Sequence, residues 1–554
     1  MADQSESEIS IDQTLESPSH EEKLVIDRCK DLEIHDLGVN ISSKGLVSWR
    51  DDSPDHPRNW THARKSYDIV VVAMLEFFTE HHRRELKISH KMKNWIARLT
   101  HPRQPSAADQ ARTESGMSHL KALVAFSLMY QLGQALGGLI VPPCSETFGR
   151  RMPYIISGAT FALCCLLIGI VPSMAMVYVG RFVSGFASAV PSVVLAGSVE
   201  DLFNARSRVW LVLLWNSLAT AGLVVGPVFG VYVSLGLGWY VVILRILHKI
   251  RLTMLRRRWI YYISAIVTAA LTVATLFIRE SRPSLILASK VAALRKQFDS
   301  DLSFDNHDAV ADHSELLNII LIRPASLLVT EPLVILVTTL SAISWAIIYL
   351  FTEALTGIYR TIGFSRTSAS LPFLAIGLGV LLSIFPRFQD MKVARRRKLR
   401  GEPLEPEDKL SGFILAVVAL AIGLWWFAWT IPPLVTSIPW IVPTIGLVFV
   451  GFAVNEMAYT LSSYLADSYT VYAASAFAAL AFVRAIISGL MPLIAYAMYE
   501  NMSANLATTI IASVATLFGV APYILLKYSK NLRRISRFTK YSLEVHERTR
   551  IEAD

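Results

Sequence analysis

Apolar residues in this chain gather into long runs separated by short polar stretches. Runs long enough to cross a bilayer, about 17–25 residues each, fall near 120–140, 153–172, 176–198, 210–235 and 259–278. Others follow near 333–351, 370–386, 410–429, 438–461, 473–496 and 504–527. A further run, YDIVVVAMLEFFT at 67–79, is apolar but short. Such runs predict membrane-spanning helices, because only a helix or a closed barrel satisfies its backbone hydrogen bonds where water is absent. Counting the short run, the pattern predicts twelve spans, six on either side of a charged stretch near 279–331 that is partly helical in pattern. The expected organisation is a disordered tail and entry segment (1–66), a first six-helix half (67–278), a solvated linker (279–331), a second six-helix half (332–527) and a C-terminal tail (528–554).

Composition agrees with an all-α polytopic membrane protein. Hydrophobic residues make up 53% of the chain and charged residues 18%, where a soluble domain carries about a quarter. The net charge of +9 would suit nucleic acid if the basic residues formed one patch. Instead they lie in short clusters beside apolar runs, so they read as anchors on one membrane face, and no nucleic-acid partner is expected. FGRRMPY, NARSR, SKVAALRK, KVARRRKLR and KYSKNLRRISRFTK fall after spans 2, 4, 6, 8 and 12, all on one side with both termini. By the positive-inside rule that side is the cytosol. Asn501 begins a glycosylation sequon between spans 11 and 12, on the outer side, whereas those at Asn40 and Asn59 are cytosolic. The acidic N-terminus has no apolar core and reads as a disordered cytosolic tail rather than a signal peptide. Cys29, Cys144, Cys164 and Cys165 have no metal-binding spacing and read as small buried hydrophobes.

Two loops break the charge rule. The stretch after span 1 carries Arg83, Arg84, Lys87, Lys91, Lys93, Arg98 and Arg103, and the one after span 5 carries Arg245, Lys249, Arg251, Arg256, Arg257 and Arg258. Twelve spans would place both outside.

Ionisable groups inside apolar runs mark function by default, since burying them in lipid is costly. Glu353 in span 7 is the leading candidate for a titrating, cation-attracting carboxylate. Glu456 in span 10 and Arg484 in span 11 come next, either in coupling or as a structural pair with each other. Glu76, near the end of the short first span, is expected to be solvated. Trp345, Tyr349, Trp425, Trp426 and Tyr459 line an aromatic cavity or, for the tryptophans, face the lipid interface. No G-x-x-x-x-G-K-[ST] loop is present, which argues against an ATP-driven pump. EHHRR at 80–84 is the only histidine cluster, and neither an enzyme activity nor a metal or cofactor is expected.

Several motifs carry a resemblance. PPCSETFGRR places Glu146, Gly149, Arg150 and Arg151 between spans 2 and 3. YVGRFVSGFASA sets Arg181 four residues before Gly185 in span 4, and AGLVVGPVFG sets Gly222, Gly226, Pro227 and Gly230 in span 5. With SWRDDSPDHPRNWTHARK before span 1 and the sequences of spans 7, 10 and 11, the chain from about 45 to 540 resembles the fungal twelve-span drug:proton antiporters of the major facilitator superfamily. The resemblance implies the major facilitator fold. It implies a cytoplasmic gate latch at Glu146, Gly149, Arg150 and Arg151, proton coupling at Arg181, and an antiporter motif at Gly222, Gly226, Pro227 and Gly230. The expected activity is proton-coupled export of small organic molecules, drug-, polyamine- or metabolite-like, by alternating access across the plasma membrane by a monomer. Its partners are the small-molecule substrate, protons and the lipid bilayer. The alternatives are a facilitator or uptake porter of the same fold, or a non-transporting membrane sensor. In that family Gly-Trp-Arg-Trp runs on where this chain separates Gly238-Trp239 from Arg258-Trp259. About 240–257, and likewise about 85–104, therefore read as translated intron sequence, the rival being a genuine basic hairpin.

Overall fold

The computed structural model describes residues 38–41, 47–50, 52–80, 121, 123–171, 173–247, 259–298, 304, 318–365, 368–401, 405–435, 437–469, 472–535 and 538. Among these residues, ten helices are long and apolar enough to cross a membrane. In the first half of the chain, helix α1 covers 62–80, α2 Met129–Phe148 after a π-helical turn Val124–Leu128, α3 Arg151–Ile170, and α4 Met174–Leu202. Helix α5 runs Ala205–Leu247, α6 Trp259–Thr275, and α7 Pro283–Phe298. In the second half come α8 (Arg323–Thr330), α9 (Pro332–Thr361), α10 (Phe373–Leu382), α11 (Ile384–Leu399) and α12 (Ser411–Thr430). Helices α13 (Ile441–Ser468), α14 (Ala473–Asn501), α15 (Ala504–Leu517) and α16 (Ala521–Ile535) complete the chain. Helices α1 and α6 stand where the pattern predicts the first and sixth spans, but α6 is short and α1 carries Lys65, Asp68, Glu76 and Glu80, so neither is among the ten. The chain is an all-α, multi-pass membrane protein.

Most helices outrun the apolar stretches that predict them, because helical hydrogen bonding continues into polar ends. Helix α5 is the extreme case. Its 43 residues make it about 65 Å long, about twice the thickness of a bilayer's hydrocarbon core, and it carries on past Trp239 into the basic stretch. The side chains at 230–260 and the segments 81–120 and 248–258 lie outside the described residues, and with them the expectation about 85–104 and 240–257.

Close helix crossings are made at glycines. A Cβ at Gly133 of α2 would collide with the Phe182 carbonyl of α4, and one at Gly185 with the Tyr130 carbonyl of α2. Backbones meet there directly, as small residues allow in membrane helices. Gly379 of α10 and Gly451 of α13 make the same exchange in the second half.

The described residues within 1–61 and 281–309 form a compact unit. In it, strands β1 (Val39–Ile41) and β2 (Val47–Trp49) pair antiparallel, Val39 opposite Trp49. Leu287, Val291 and Leu294, spaced along one face of α7, bury against Val39 and Val47, with Trp49 and Phe304 packed alongside. Lys290 pairs with Asp55 at 2.6 Å. Parts of the expected disordered tail and solvated linker are thus folded on each other. Each contributes too few apolar residues to form a core alone, which is why neither reads as structured by itself.

Candidate functional site

Three helices each turn two residues, four apart, onto one cavity. They are Glu76 and Glu80 on α1, Trp345 and Tyr349 on α9, and Arg484 and Ser488 on α14. Residues at i and i+4 share a helix face, so each pair follows from its spacing once the helix is oriented. Gln134 of α2, Ser192 of α4, Ala219 of α5 and Ala485 of α14 complete the lining. The cavity is small, about 10 Å3, and draws on helices before and after the linker.

Its polar groups are deeply placed. Glu76 and Glu80 are 2% and 5% exposed. The Gln134 amide donates to Glu80 Oε1 at 2.9 Å. Glu80, Arg484 and the Trp215 indole of α5 all lie near enough to Glu76 to act on it. The Arg484 guanidinium sits 4.9 Å from the Trp345 ring centroid, a distance at which an aromatic face attracts a cation. Two carboxylates and one guanidinium therefore share a space with little water to screen them.

The expected site residues divide. Arg484, Trp345 and Tyr349 are at the cavity. Glu353 lies eight residues beyond Trp345 on α9, half-buried, and is not in the lining. The alternative that Glu456 pairs with Arg484 is corrected. Glu456 bonds Arg387 of α11, and Thr460 Oγ1 donates to its Oε1 at 3.3 Å. The rotation of α13 turns Glu456 away from the cavity while that of α14 turns Arg484 into it. Glu76 is buried rather than solvated, because α2 and α5 cover the end of α1. Trp425 and Trp426 do not reach the cavity, their indoles donating to Thr516 Oγ1 (2.9 Å) and the Val442 carbonyl (2.8 Å). Tyr459 instead stacks under Arg387, 3.7 Å from the ring centroid.

Arg181 is fully buried away from the cavity. It donates to the Phe126 carbonyl at 3.0 Å and lies 4.8 Å from the Tyr130 centroid, tying α4 to the π-helical turn before α2. In the latch motif, Gly149 takes a φ of 93°, a left-handed conformation that suits glycine. This turn aims Arg150 at Asp201 (3.2 Å) and Ser145 Oγ (2.7 Å). Glu280 accepts from the backbone N–H of both Arg150 and Arg151, at 2.9 and 3.1 Å. A carboxylate there satisfies the free donors at the start of α3. Asp201 and Glu280 both meet these arginines, and Glu146 is half-buried on α2.

The span 5 motif faces the second half. Gly222, Gly226 and Pro227 are buried, and Leu223 and Val224 join the core formed by α9 to α15. Nearby, Thr220 donates to Asn455 Oδ1 at 3.2 Å, and Asn455 Nδ2 donates to Ser217 Oγ at 3.1 Å, so α5 and α13 are joined by buried hydrogen bonds. The surroundings of Gly230 lie outside the described residues. Sequence reasoning missed Glu80, Gln134, Arg387 and Asn455. For Glu80 a signal existed in its four-residue spacing from Glu76, but the basic stretch after it disguises α1 as an incomplete span.

Comparison with known proteins gives this architecture a place. The family model described as Major Facilitator Superfamily matches residues 106–492. The chain is 27% identical over 501 residues to the efflux pump radE of Floropilus chiversii, covering 89% of this chain and 86% of that one. It is 30% identical over 418 residues to the multidrug transporter TPO1_2 of Candida glabrata, covering 75% and 69%. Among solved structures, the proton:xylose symporter XylE superposes with a TM-score of 0.57 at 14% identity, over 85% of this chain and 96% of that one. A matching family model over most of the chain and a similar relative agree, and the chain belongs to the major facilitator superfamily.

Proposed function

We propose that this protein is a proton-coupled exporter of small organic cations, and that Glu76 and Glu80 carry both the coupling and the substrate charge. The observation that carries this reading is the pair of buried carboxylates on α1 that share a cavity with the guanidinium of Arg484. A proton and a cationic substrate compete for the same buried carboxylates, so one must leave as the other arrives. Trp345 and Tyr349 supply aromatic faces for an amine or a flat cation. The cavity sits among helices of both halves, where rocking of one half against the other exposes it to alternate sides. Relatives named efflux pumps and multidrug transporters support the outward direction.

The test is drug- and polyamine-cation transport in membrane vesicles under an imposed pH gradient. Glu76→Gln and Glu80→Gln should each lower gradient-driven transport at least tenfold with protein levels unchanged. Glu353→Gln, outside the cavity, should retain it. Gradient-driven transport that survives both cavity substitutions would overturn the assignment.

A further inference from the structure

The outward face of the eighth span continues beyond its apolar run without a change of side. Leu378, Leu381, Phe385 and Phe388 follow one another at steps of three and four and are 51–67% exposed, the spacing of a single helix stripe. Ser383, between α10 and α11, keeps a right-handed backbone, with φ −65° and ψ −6°, so the stripe carries across the junction. Its next positions are Lys392 and Arg395, with Arg396 beside them, all exposed. Phe388 packs edge-on against Trp210 of α5, ring centroids 5.6 Å apart, which walls one side of the stripe.

The acids described nearby are engaged elsewhere. Asp390 pairs with Arg387, Glu405 and Asp408 with Arg397 on the opposite face of α11 at 3.9 and 2.9 Å, Glu407 with Arg533, and Asp467 with Lys409. Among the described residues, no ion pair involves Lys392, Arg395 or Arg396. An apolar stripe that fits acyl chains thus ends in three cations that no described acid pairs with, at the edge of the apolar run.

We propose that this face of α11 binds the phosphate headgroup of an anionic phospholipid, with the acyl chains lying along Leu381, Phe385 and Phe388. Each cation near an anionic lipid surface contributes about a fivefold gain in affinity. Three together discriminate strongly against a zwitterionic headgroup, whose own ammonium they repel. The apolar stripe makes the ligand a lipid rather than free phosphate, which would gain nothing from it.

The experiment uses the full chain in detergent, with native mass spectrometry counting bound phosphatidylserine and phosphatidylcholine in competition. The wild type should retain phosphatidylserine at least tenfold over phosphatidylcholine. The triple variant Lys392→Gln, Arg395→Gln, Arg396→Gln should lose that preference while eluting as the same species in size exclusion. Arg397→Gln, which removes a cation from the inward face, should keep it. Millimolar inorganic phosphate should not displace the lipid. A wild type without preference, a triple variant that keeps it, equal loss in Arg397→Gln, or displacement by phosphate would each overturn the proposal.

Discussion

Each half of the chain buries an arginine between its second and third spans, but at different depths and in different company. Arg150 follows α2 and pairs with Asp201, one residue from the end of α4. Arg387 follows α10 and pairs with Asp390 and with Glu456, well inside α13, and it stacks on Tyr459. The counterpart of Asp201, one residue from the end of α13, is Asp467, which pairs with Lys409 at 2.5 Å. Glu456 lies eleven residues earlier, about 16 Å deeper along the helix. The same offset from Asp201 arrives at Val190, a buried apolar residue. The second half therefore keeps the peripheral ion pair of the first and adds a deeper one. Arg387 and Glu456 are both 0% exposed, where Arg150 and Asp201 are 6% and 5%. Depth turns a contact that positions a loop into one whose loss leaves a charge stranded.

The sharpest way to break this comparison is to remove the deep cation. Arg387→Met strands two carboxylates and should cost about 3–5 kcal/mol of stability, the usual penalty for an uncompensated buried charge. Joint replacement with Glu456→Met should recover part of it. Thermal unfolding in detergent, followed as a double-mutant cycle, checks both. A loss in the double variant equal to the sum of the two single losses would mean that the pair does not couple.

A smaller effect separates the glycines beneath the two arginines. The atoms nearest a Cβ at Gly197 all belong to the Arg150 guanidinium, the far end of a flexible side chain. One at Gly412 would meet the Glu456 carboxylate, held by Arg387 and Thr460. Gly412→Ala should therefore destabilise by about 1–3 kcal/mol, in the range of overpacked cores. Gly197→Ala should cost clearly less, read as the difference in midpoint between the two variants. The smallest effect is expected at the periphery. Asp467→Asn removes a partly exposed pair, 16% and 35% exposed, and should change stability by about 0–1 kcal/mol. A loss matching that of Arg387→Met would erase the distinction by depth.

Hydropathy alone determined that this chain is a bundle of membrane helices and where most of them lie, because crossing lipid requires about twenty consecutive apolar residues whatever their neighbours. The break between α2 and α3 at the Gly149 motif was equally legible, since a polar stretch between two apolar runs is a local feature of the sequence. Which ionisable residue faces what was not. Glu353, Glu456 and Arg484 look alike in sequence, each a charge in an apolar run. The rotation of α9, α13 and α14 sends only Arg484 to the cavity and gives Glu456 to Arg387. Glu76 and Glu80 looked peripheral because α1 is short of apolar residues, and only the helices packed over it make their carboxylates central. Segment hydrophobicity sums over a whole helix and is indifferent to its rotation. That rotation is set by contacts such as Asn455 with Ser217 and Thr220, more than two hundred residues apart in the chain, so only the tertiary structure could decide it.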